Sequence, residues 1–333
     1  MGWLDIALQE TAEYPHPETL DTFGASIDPQ WIEQALAATG TATLRRRRLP
    51  AQQVIWLVLG MALLRNRPIT EVVSKLDLAL PNATGKTKVA PSAIVQARKR
   101  LGEQPLQWLF ERCSQQWAFD SARSNAWRGL SLLAVDGTNL RVADSDENRD
   151  HFGLASGGKR GDSGYPLVRM ASLIAVRSHL VAAAAFGPYA TSEYAYAKKL
   201  WPIVPDDSLT THMLQRKETI RSQTVAGVRQ QLWGILLTYN LIRLEMEQIA
   251  RQANVPPNRI SFVTAMRFIR DQWAWCAVAS PGSIPKKLQL MRQRIIDFLL
   301  PPRRSERRYP PAVKIKMSNY PKKQRESNTK AAK

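Results

Sequence analysis

Apolar residues recur at helical spacing between residues 26 and 128, and this pattern predicts a cluster of short helices. Asp28 and Pro29 mark the first start, because Asp caps helix N-termini and Pro suits the first helical position. Further helices are predicted at residues 51–64, 70–76, 93–101 (after a Pro91-Ser92 cap) and 105–118. Such a cluster is compatible with a DNA-binding module of the helix-turn-helix type.

The apolar pattern changes after residue 128 to short continuous runs, which are typical of buried strands. Residues 130–137 form one run that ends in Asp136-Gly137, and residues 167–176 and 179–188 predict a hairpin. The stretch 139–164 is polar and glycine-rich, and its segment 157–161 is predicted to be a flexible loop. Ser192 is predicted to cap a helix over 193–200. The middle of the chain is therefore predicted to be a sheet covered by helices.

Helical spacing returns in the last third, where helices are predicted at residues 225–247, 262–275 and 284–300. Arg292 and Arg294 are expected on the solvated side of the last of these. The predicted fold class is thus mixed, α+β or α/β, with helices at both ends of the chain.

The charge balance changes the picture most, because 47 Lys+Arg against 28 Asp+Glu give a net charge of +19. Such an excess indicates a polyanionic partner, either nucleic acid or an anionic membrane face. The longest apolar run has 11 residues, whereas a spanning helix needs about 20, so we expect no membrane partner. No signal-peptide pattern, disulfide framework or zinc-ligand spacing is evident, and a cytoplasmic location is expected.

Basic residues in the N-terminal third suggest two kinds of DNA contact. The four-arginine run before Leu49 suits phosphates, and the polar side of helix 93–101 suits base edges and phosphates in a major groove. A solvated basic face on a structural helix explains the second cluster equally well. The predicted contacts are Arg45, Arg46, Arg47, Arg48, Gln96, Arg98, Lys99 and Arg100.

Residues 301–333 carry 11 Lys+Arg, two Glu and five Pro, a composition that predicts a disordered basic arm. Phosphate binding is its expected role, and a mere solubility tail is the alternative. The predicted contacts in this arm are Arg303, Arg304, Arg307 and Arg308.

Asp136 is the candidate for chemistry, because a carboxylate at the end of a buried strand is poorly solvated and needs a partner. A divalent metal is a common partner for such a group. The alternative is structural, since Asp-Gly is also an ordinary strand terminator.

The segment LAVDGT at residues 133–138 resembles the first catalytic motif of the DDE transposases of the insertion-sequence-four family. Supporting segments are RRLP at 47–50, WLVLGMA at 56–62, SAIVQAR at 92–98, QLWGILLTYNLIR at 231–243 and PPRRSERRYP at 301–310. The resemblance covers nearly the whole chain. It implies a transposase that binds element-end DNA and uses Mg²⁺, with Asp136 as catalytic residue and metal ligand.

The resemblance also implies a domain plan. A lead at residues 1–25 precedes a helical DNA-binding domain at 26–128 and a ribonuclease H-like catalytic domain at 129–250. C-terminal helices at 251–300 and the basic tail at 301–333 follow.

Two acidic motifs of the family have no counterpart in this chain. Two metal ions need several anionic oxygens, and the family supplies three carboxylates. The Asp-Arg-Gly-Phe segment and the Tyr-x-x-Arg-x-x-x-Glu motif do not occur among the 333 residues. An internal deletion joining Thr210 to Thr211 would explain this, and would also remove the fourth strand. Asp206, Asp207 and Glu218 are not expected to substitute for the lost acids.

Without a fourth strand the sheet would expose an edge, and lower stability than that of an intact relative is expected. The leading function is a transposase whose catalysis is defective. The alternative is a non-catalytic DNA-binding regulator, acting as a homo-oligomer or with intact transposase. A packaging or RNA-binding protein is less favoured, because no RNA-recognition aromatic motif is present.

Overall fold

Helices precede the first strand, as the sequence predicts. The computed structural model describes residues 27–41, 49–76, 78–79, 89–156, 162–213, 220–276 and 284–301. In this part of the chain the N-terminal helices are α1 (Pro29–Ala38), α2 (Ala51–Leu63), α3 (Ile69–Lys75), α4 (Pro91–Leu101) and α5 (Gln104–Ser124).

Local signals account for most of these helix ends. The Asp28 carboxylate accepts a hydrogen bond from the Gln30 backbone N–H at 2.9 Å, so the predicted cap of α1 is confirmed. Gly102 ends α4 with φ 68°, a conformation that favours glycine. The N-cap of α4 is Ala90 and not Ser92, because the helix already begins at Pro91. Helix α5 continues beyond the predicted residue 118 since Ala122 near its end is still buried.

The strands form one mixed sheet. They are β1 (Ser131–Arg141), β2 (Leu154–Ser156), β3 (Asp162–Ala175), β4 (Val181–Pro188) and β5 (Ser208–Met213). Strand β3 pairs antiparallel with β1, β2 and β4, which confirms the predicted hairpin of β3 and β4. Strand β5 lies on the other side of β1 and runs parallel to it.

The polar, glycine-rich stretch 139–164 is partly regular, and the loop predicted at 157–161 lies outside the described residues. Strand β1 continues to Arg141 because Thr138, Leu140 and Val142 alternate as buried positions. Helix α6 (Asp146–Phe152) and strand β2 follow. The polar residues between those buried positions hid the alternation in the sequence.

The fourth strand predicted to be missing is present. Strand β5 pairs with β1 from Ser131–Ser208 to Asp136–Met213, and the predicted junction between Thr210 and Thr211 lies inside it. The prediction of a lost strand is therefore wrong, because residues on both sides of the junction supply one continuous extended segment. The lower stability was predicted because an exposed sheet edge was expected. That reason no longer applies, since β5 pairs with the edge of β1 that the missing strand would have exposed.

Helices α7 (Glu193–Lys198), α8 (Val225–Gln252), α9 (Phe262–Cys276) and α10 (Ile284–Ile296) complete the described elements. Arg292 of α10 is not on the solvated side as predicted, since its Nε donates to Glu245 Oε1 at 2.5 Å. This hydrogen bond raises the pKa of the Arg292 guanidinium. Arg294 is exposed, as expected. None of the described helices is long and apolar enough to cross a bilayer.

Helix α8 joins the N-terminal helices to the sheet. Its Gly234 lies so close to α2 that an added Cβ would overlap the Val58 side chain. Asn240, fully buried, accepts from the Val181 N–H at 2.8 Å and donates to the Val181 carbonyl at 2.8 Å and Ser114 Oγ at 2.9 Å. One side chain thus ties α8 to β4 and α5.

The chain divides into two compact units, Met1–Leu299 and Leu300–Lys333. All but the first two residues of the second unit lie outside the described residues, and so does most of the predicted basic tail. The domain boundaries expected within the first unit stay predictions.

We expect Asn240→Ala to lower the free energy of unfolding by about 2–4 kcal/mol, because it leaves the buried N–H and C=O of Val181 without partners. Gln107→Ala is the control, since its side chain donates to Glu111 at an exposed position. Urea titration of both variants measures the difference. Equal unfolding midpoints for the two variants would contradict the structural role of Asn240.

Candidate functional site

The sequence predicts Asp136 at the end of its strand. In the structure it lies in the interior of β1, which continues to Arg141. It faces Ser172 on β3 and Met213 on β5 across the two ladders. It is the last residue of β1 that pairs with β5, so it marks the carboxyl end of the parallel pairing. Open sheets place ligand sites at such ends. Because the strand continues to Arg141, Asp136 is not part of a terminating turn.

The Asp136 carboxylate is poorly satisfied where it lies. Its Oδ1 atom is buried and has no hydrogen-bond partner among the described residues. Burial is the main cause that raises the pKa of Asp136, and the negative charge of Glu193 raises it further. A hydrogen bond from the Gly137 N–H opposes this by lowering the pKa.

Glu193 is a site residue that sequence reasoning missed. It is the first residue of α7, whose N-cap Ser192 accepts from the Ala195 N–H at 3.2 Å. Its carboxylate lies against Gly137, and a Cβ on that glycine would overlap the carboxylate atoms. The sequence shows both segments, Asp136-Gly137 and Ser192-Glu193, but each is only a short and common pair of residues. Nothing in the sequence showed that the two segments meet.

Among the described residues, the donors around Asp136 do not fit the pair of metal ions that the family resemblance implies. The described residues contain no group of three or more His, Cys, Asp or Glu that could hold a metal. Two cations need several anionic oxygens, and in the part of the chain that the structure describes Glu193 is the acid whose charge raises the pKa of Asp136. The two carboxylates leave such a pair short of ligands.

The structure places Asp206 and Asp207 at the opposite end of the β1–β5 pairing from Asp136. That they do not replace the lost acids stays a prediction. Both are exposed and precede β5, and the Asp207 carbonyl accepts from the Ser131 N–H at 2.9 Å. They therefore lie at the first residue of β1, roughly 17 Å along the strand from Asp136. Glu218 lies outside the described residues.

The predicted DNA-contacting residues of α4 divide into two groups. Gln96, Lys99 and Arg100 are exposed and available for contact. Arg98 instead turns toward α8, where its Nε donates to Gln230 Oε1 at 2.9 Å and a terminal nitrogen to Ser222 Oγ at 3.5 Å.

Gln230 returns two hydrogen bonds to the end of α4, at the carbonyls of Arg98 and Gly102, at 3.0 and 2.6 Å. Burial lowers the pKa of the Arg98 guanidinium. This geometry favours a structural role for Arg98. The remaining predicted contacts lie outside the described residues; they are Arg45, Arg46, Arg47, Arg48, Arg303, Arg304, Arg307 and Arg308.

Comparisons with known proteins decide the family. The family model for the insertion element 4 transposase N-terminal region matches residues 17–111. InsZ, a candidate transposase of Escherichia coli (strain K12), is 30% identical over 308 residues, which cover 92% of this chain and 91% of InsZ. This chain belongs to the insertion-sequence-four (IS4) family of transposases.

A second IS4-family relative is longer than the present chain. InsG, the E. coli (strain K12) transposase for insertion sequence element IS4, is 27% identical over 419 residues, covering 91% of this chain and 93% of InsG. Because 419 exceeds the 333 residues of the present chain, the alignment includes InsG residues without a counterpart here. No solved structure matches this IS4-family chain.

The raised pKa of Asp136 predicts a pH-dependent effect of Asp136→Asn on stability. The folded state binds the Asp136 proton more tightly than the unfolded state, so ionisation above the folded pKa destabilises the fold. The amide removes this penalty. In EDTA, we expect the variant to melt higher than the wild type at neutral pH. The difference should shrink as the pH falls toward the ordinary Asp value, and a difference that grew with acidity would refute this assignment.

Arg98→Ala is expected to lower the free energy of unfolding by about 1–3 kcal/mol, because Gln230 and Ser222 lose a buried charged donor. Lys99→Ala, on the exposed side of the same helix, should change it by less than about 0.5 kcal/mol. Thermal melting of both variants provides the measurement. A larger loss for Lys99→Ala would show that the roles of the two residues are reversed.

Proposed function

We propose that this IS4-family chain binds the DNA ends of its insertion element but does not, on its own, cleave DNA with two metal ions. Family membership and the net charge of +19 support the DNA-binding part. The exposed Gln96, Lys99 and Arg100 on α4 supply donors for bases and phosphates. The observation that carries the second part is the donor set around Asp136.

A ribonuclease H-like core is part of this proposal. Strand β1 pairs antiparallel with β3, β3 with β4, and after α7 the chain returns as β5, parallel to β1 and beside it. The family resemblance implies such a core with its first acid on β1, the strand that bears Asp136. Two strands therefore flank the proposed metal ligand and fix its backbone.

The missing acids are consistent with an internal deletion at residues 210–211. The family places its second acid on the strand that follows residues 205–209, and β5 occupies that position without an acidic residue. The alignment with the longer InsG contains residues that this chain lacks, which supports a shortened transposase. In this proposal the ends of the deletion rejoin as one strand, so the sheet survives although the catalytic set does not.

A chain that holds element ends without cutting them would compete with intact transposase for the same sites. Action as a regulator, alone or in a hetero-oligomer with an intact copy, is therefore the second candidate function. Retention of the DNA-facing residues together with the incomplete acid set favours it. The two candidates share the binding step and differ in the effect on an active relative.

We expect the full-length protein to shift a labelled duplex from the element's end in EDTA, and to resist competition from unrelated duplex. In Mg²⁺ or Mn²⁺ it should leave a plasmid carrying both ends uncut. Asp136→Ala is the matched control and should behave identically in both assays. End-specific nicking by the wild type that Asp136→Ala abolishes would contradict the proposed loss of cleavage. Equal competition by unrelated duplex would contradict element-end binding.

A further inference from the structure

A face of β1 continues past the candidate site. Successive strand residues alternate between faces, so Gly137, Asn139 and Arg141 share the side against which Glu193 lies. Across the antiparallel ladder, Asn139 pairs with Arg169 of β3. Arg141 and Arg169 therefore share one face of the sheet on neighbouring strands, whereas the same alternation places the Asp136 side chain on the opposite face.

The guanidinium of Arg169 is held in a fixed plane. Its Nε donates to Asn139 Oδ1 at 3.3 Å, and NH1 donates to the Thr191 carbonyl at 3.0 Å. The group lies over the Tyr189 ring, 4.1 Å from the ring centre. These three contacts orient the N–H groups of the Arg169 guanidinium before any ligand binds. Less conformational entropy is then lost on binding.

Arg141, two residues beyond Asn139 on β1, also stacks its guanidinium on a tyrosine ring. Its guanidinium lies over the Tyr165 ring at 4.4 Å, and the residue is exposed. Because Arg141 pairs with Leu167, it is a diagonal neighbour of Arg169, at roughly 7–8 Å. The two side chains therefore start from adjacent positions on one face, so both guanidinium groups can contact the same phosphate backbone.

The charge of both arginines is uncompensated within the described residues. Elsewhere arginines pair with acids, as Arg149 does with Asp144, Arg229 with Glu103 and Arg292 with Glu245. The structure gives no such ion pair for Arg141 or Arg169 in the part it describes. Their nearest ring partners are tyrosines, which hold the cation without neutralising it.

We infer that Arg141 and Arg169, each stacked on a tyrosine, bind the phosphate backbone of a DNA strand on the face of the sheet that they share with Asn139. This inference rests on the proposed DNA-binding function and names the residues on the sheet that would carry it. Backbone contacts position a protein on DNA without reading sequence, so these arginines add affinity and register rather than specificity.

Fluorescence anisotropy with full-length protein in EDTA tests the inference, with a labelled element-end duplex titrated at several salt concentrations. Arg141→Ala and Arg169→Ala should each weaken binding by roughly 3- to 10-fold and reduce the slope of log K against log salt by about one. Arg141→Lys should keep the slope, since it keeps the charge, but bind more weakly than wild type because it loses the fork.

Arg128→Ala is the matched control. Arg128 is also exposed and lies over a ring, that of Trp127 at 4.9 Å, but it precedes β1 and so lies at the other end of that strand from Arg141. Its removal changes the net charge equally, and we expect affinity and slope to stay at the wild-type values.

Each result is decisive. Wild-type affinity and slope in Arg141→Ala overturn the inference and leave the proposed function standing, because the wild type still binds. The same holds if Arg128→Ala weakens binding as much as the two tested variants, since net charge alone then explains the loss. A loss confined to Arg169→Ala with a lowered melting temperature also overturns it. Absence of wild-type binding overturns the proposed function and this inference together.

Discussion

Burial of the Asp136 carboxylate, reinforced by the negative charge of Glu193, is the constraint on which the candidate site depends. Asp136 has a buried oxygen without a described hydrogen-bond partner, and Glu193 is held against the next residue, Gly137. Burial and the second negative charge both act against ionisation of Asp136. A cation would relieve that cost, whereas a second cation would need further anionic oxygens. The proposed loss of two-metal cleavage therefore rests on the number of acids among the described residues.

Buried contacts connect the elements around the site. Helix α8 is buried along most of its length and contacts α2 through Gly234 and β4 through Asn240. The pair of Arg98 and Gln230 fastens α4 to the same helix. One helix thus connects the surface proposed to bind DNA with the sheet that bears Asp136, so a duplex held by α4 would have a fixed relation to the strands.

Much of this could be predicted from the sequence, because the relevant signals are local. The Asp28-Pro29 cap, the Ser192 cap and the β3–β4 hairpin depend on neighbouring residues and are confirmed. The predictions that failed depend on distant parts of the chain. Strand β5 is stabilised by its pairing with β1, and Arg292 by Glu245 of another helix, and no local pattern reports either partner.

The candidate site shows the same division. Asp136 was evident from an apolar run that ends in an acid, although the strand does not end there. Glu193 could not be recognised from the sequence, because it comes close to Asp136 only where the start of α7 packs against Gly137. The stacked arginines of β1 and β3 belong to this second group, since the register of the two strands brings them together.

Counting bound Mn²⁺ tests the central claim most directly. Electron paramagnetic resonance on the full-length wild type and on Asp136→Ala, titrated with Mn²⁺ in the presence of an element-end duplex, gives the number of ions that depend on Asp136. The account predicts no more than one such ion per chain, because two carboxylates cannot hold a pair. Two Asp136-dependent ions per chain would contradict it.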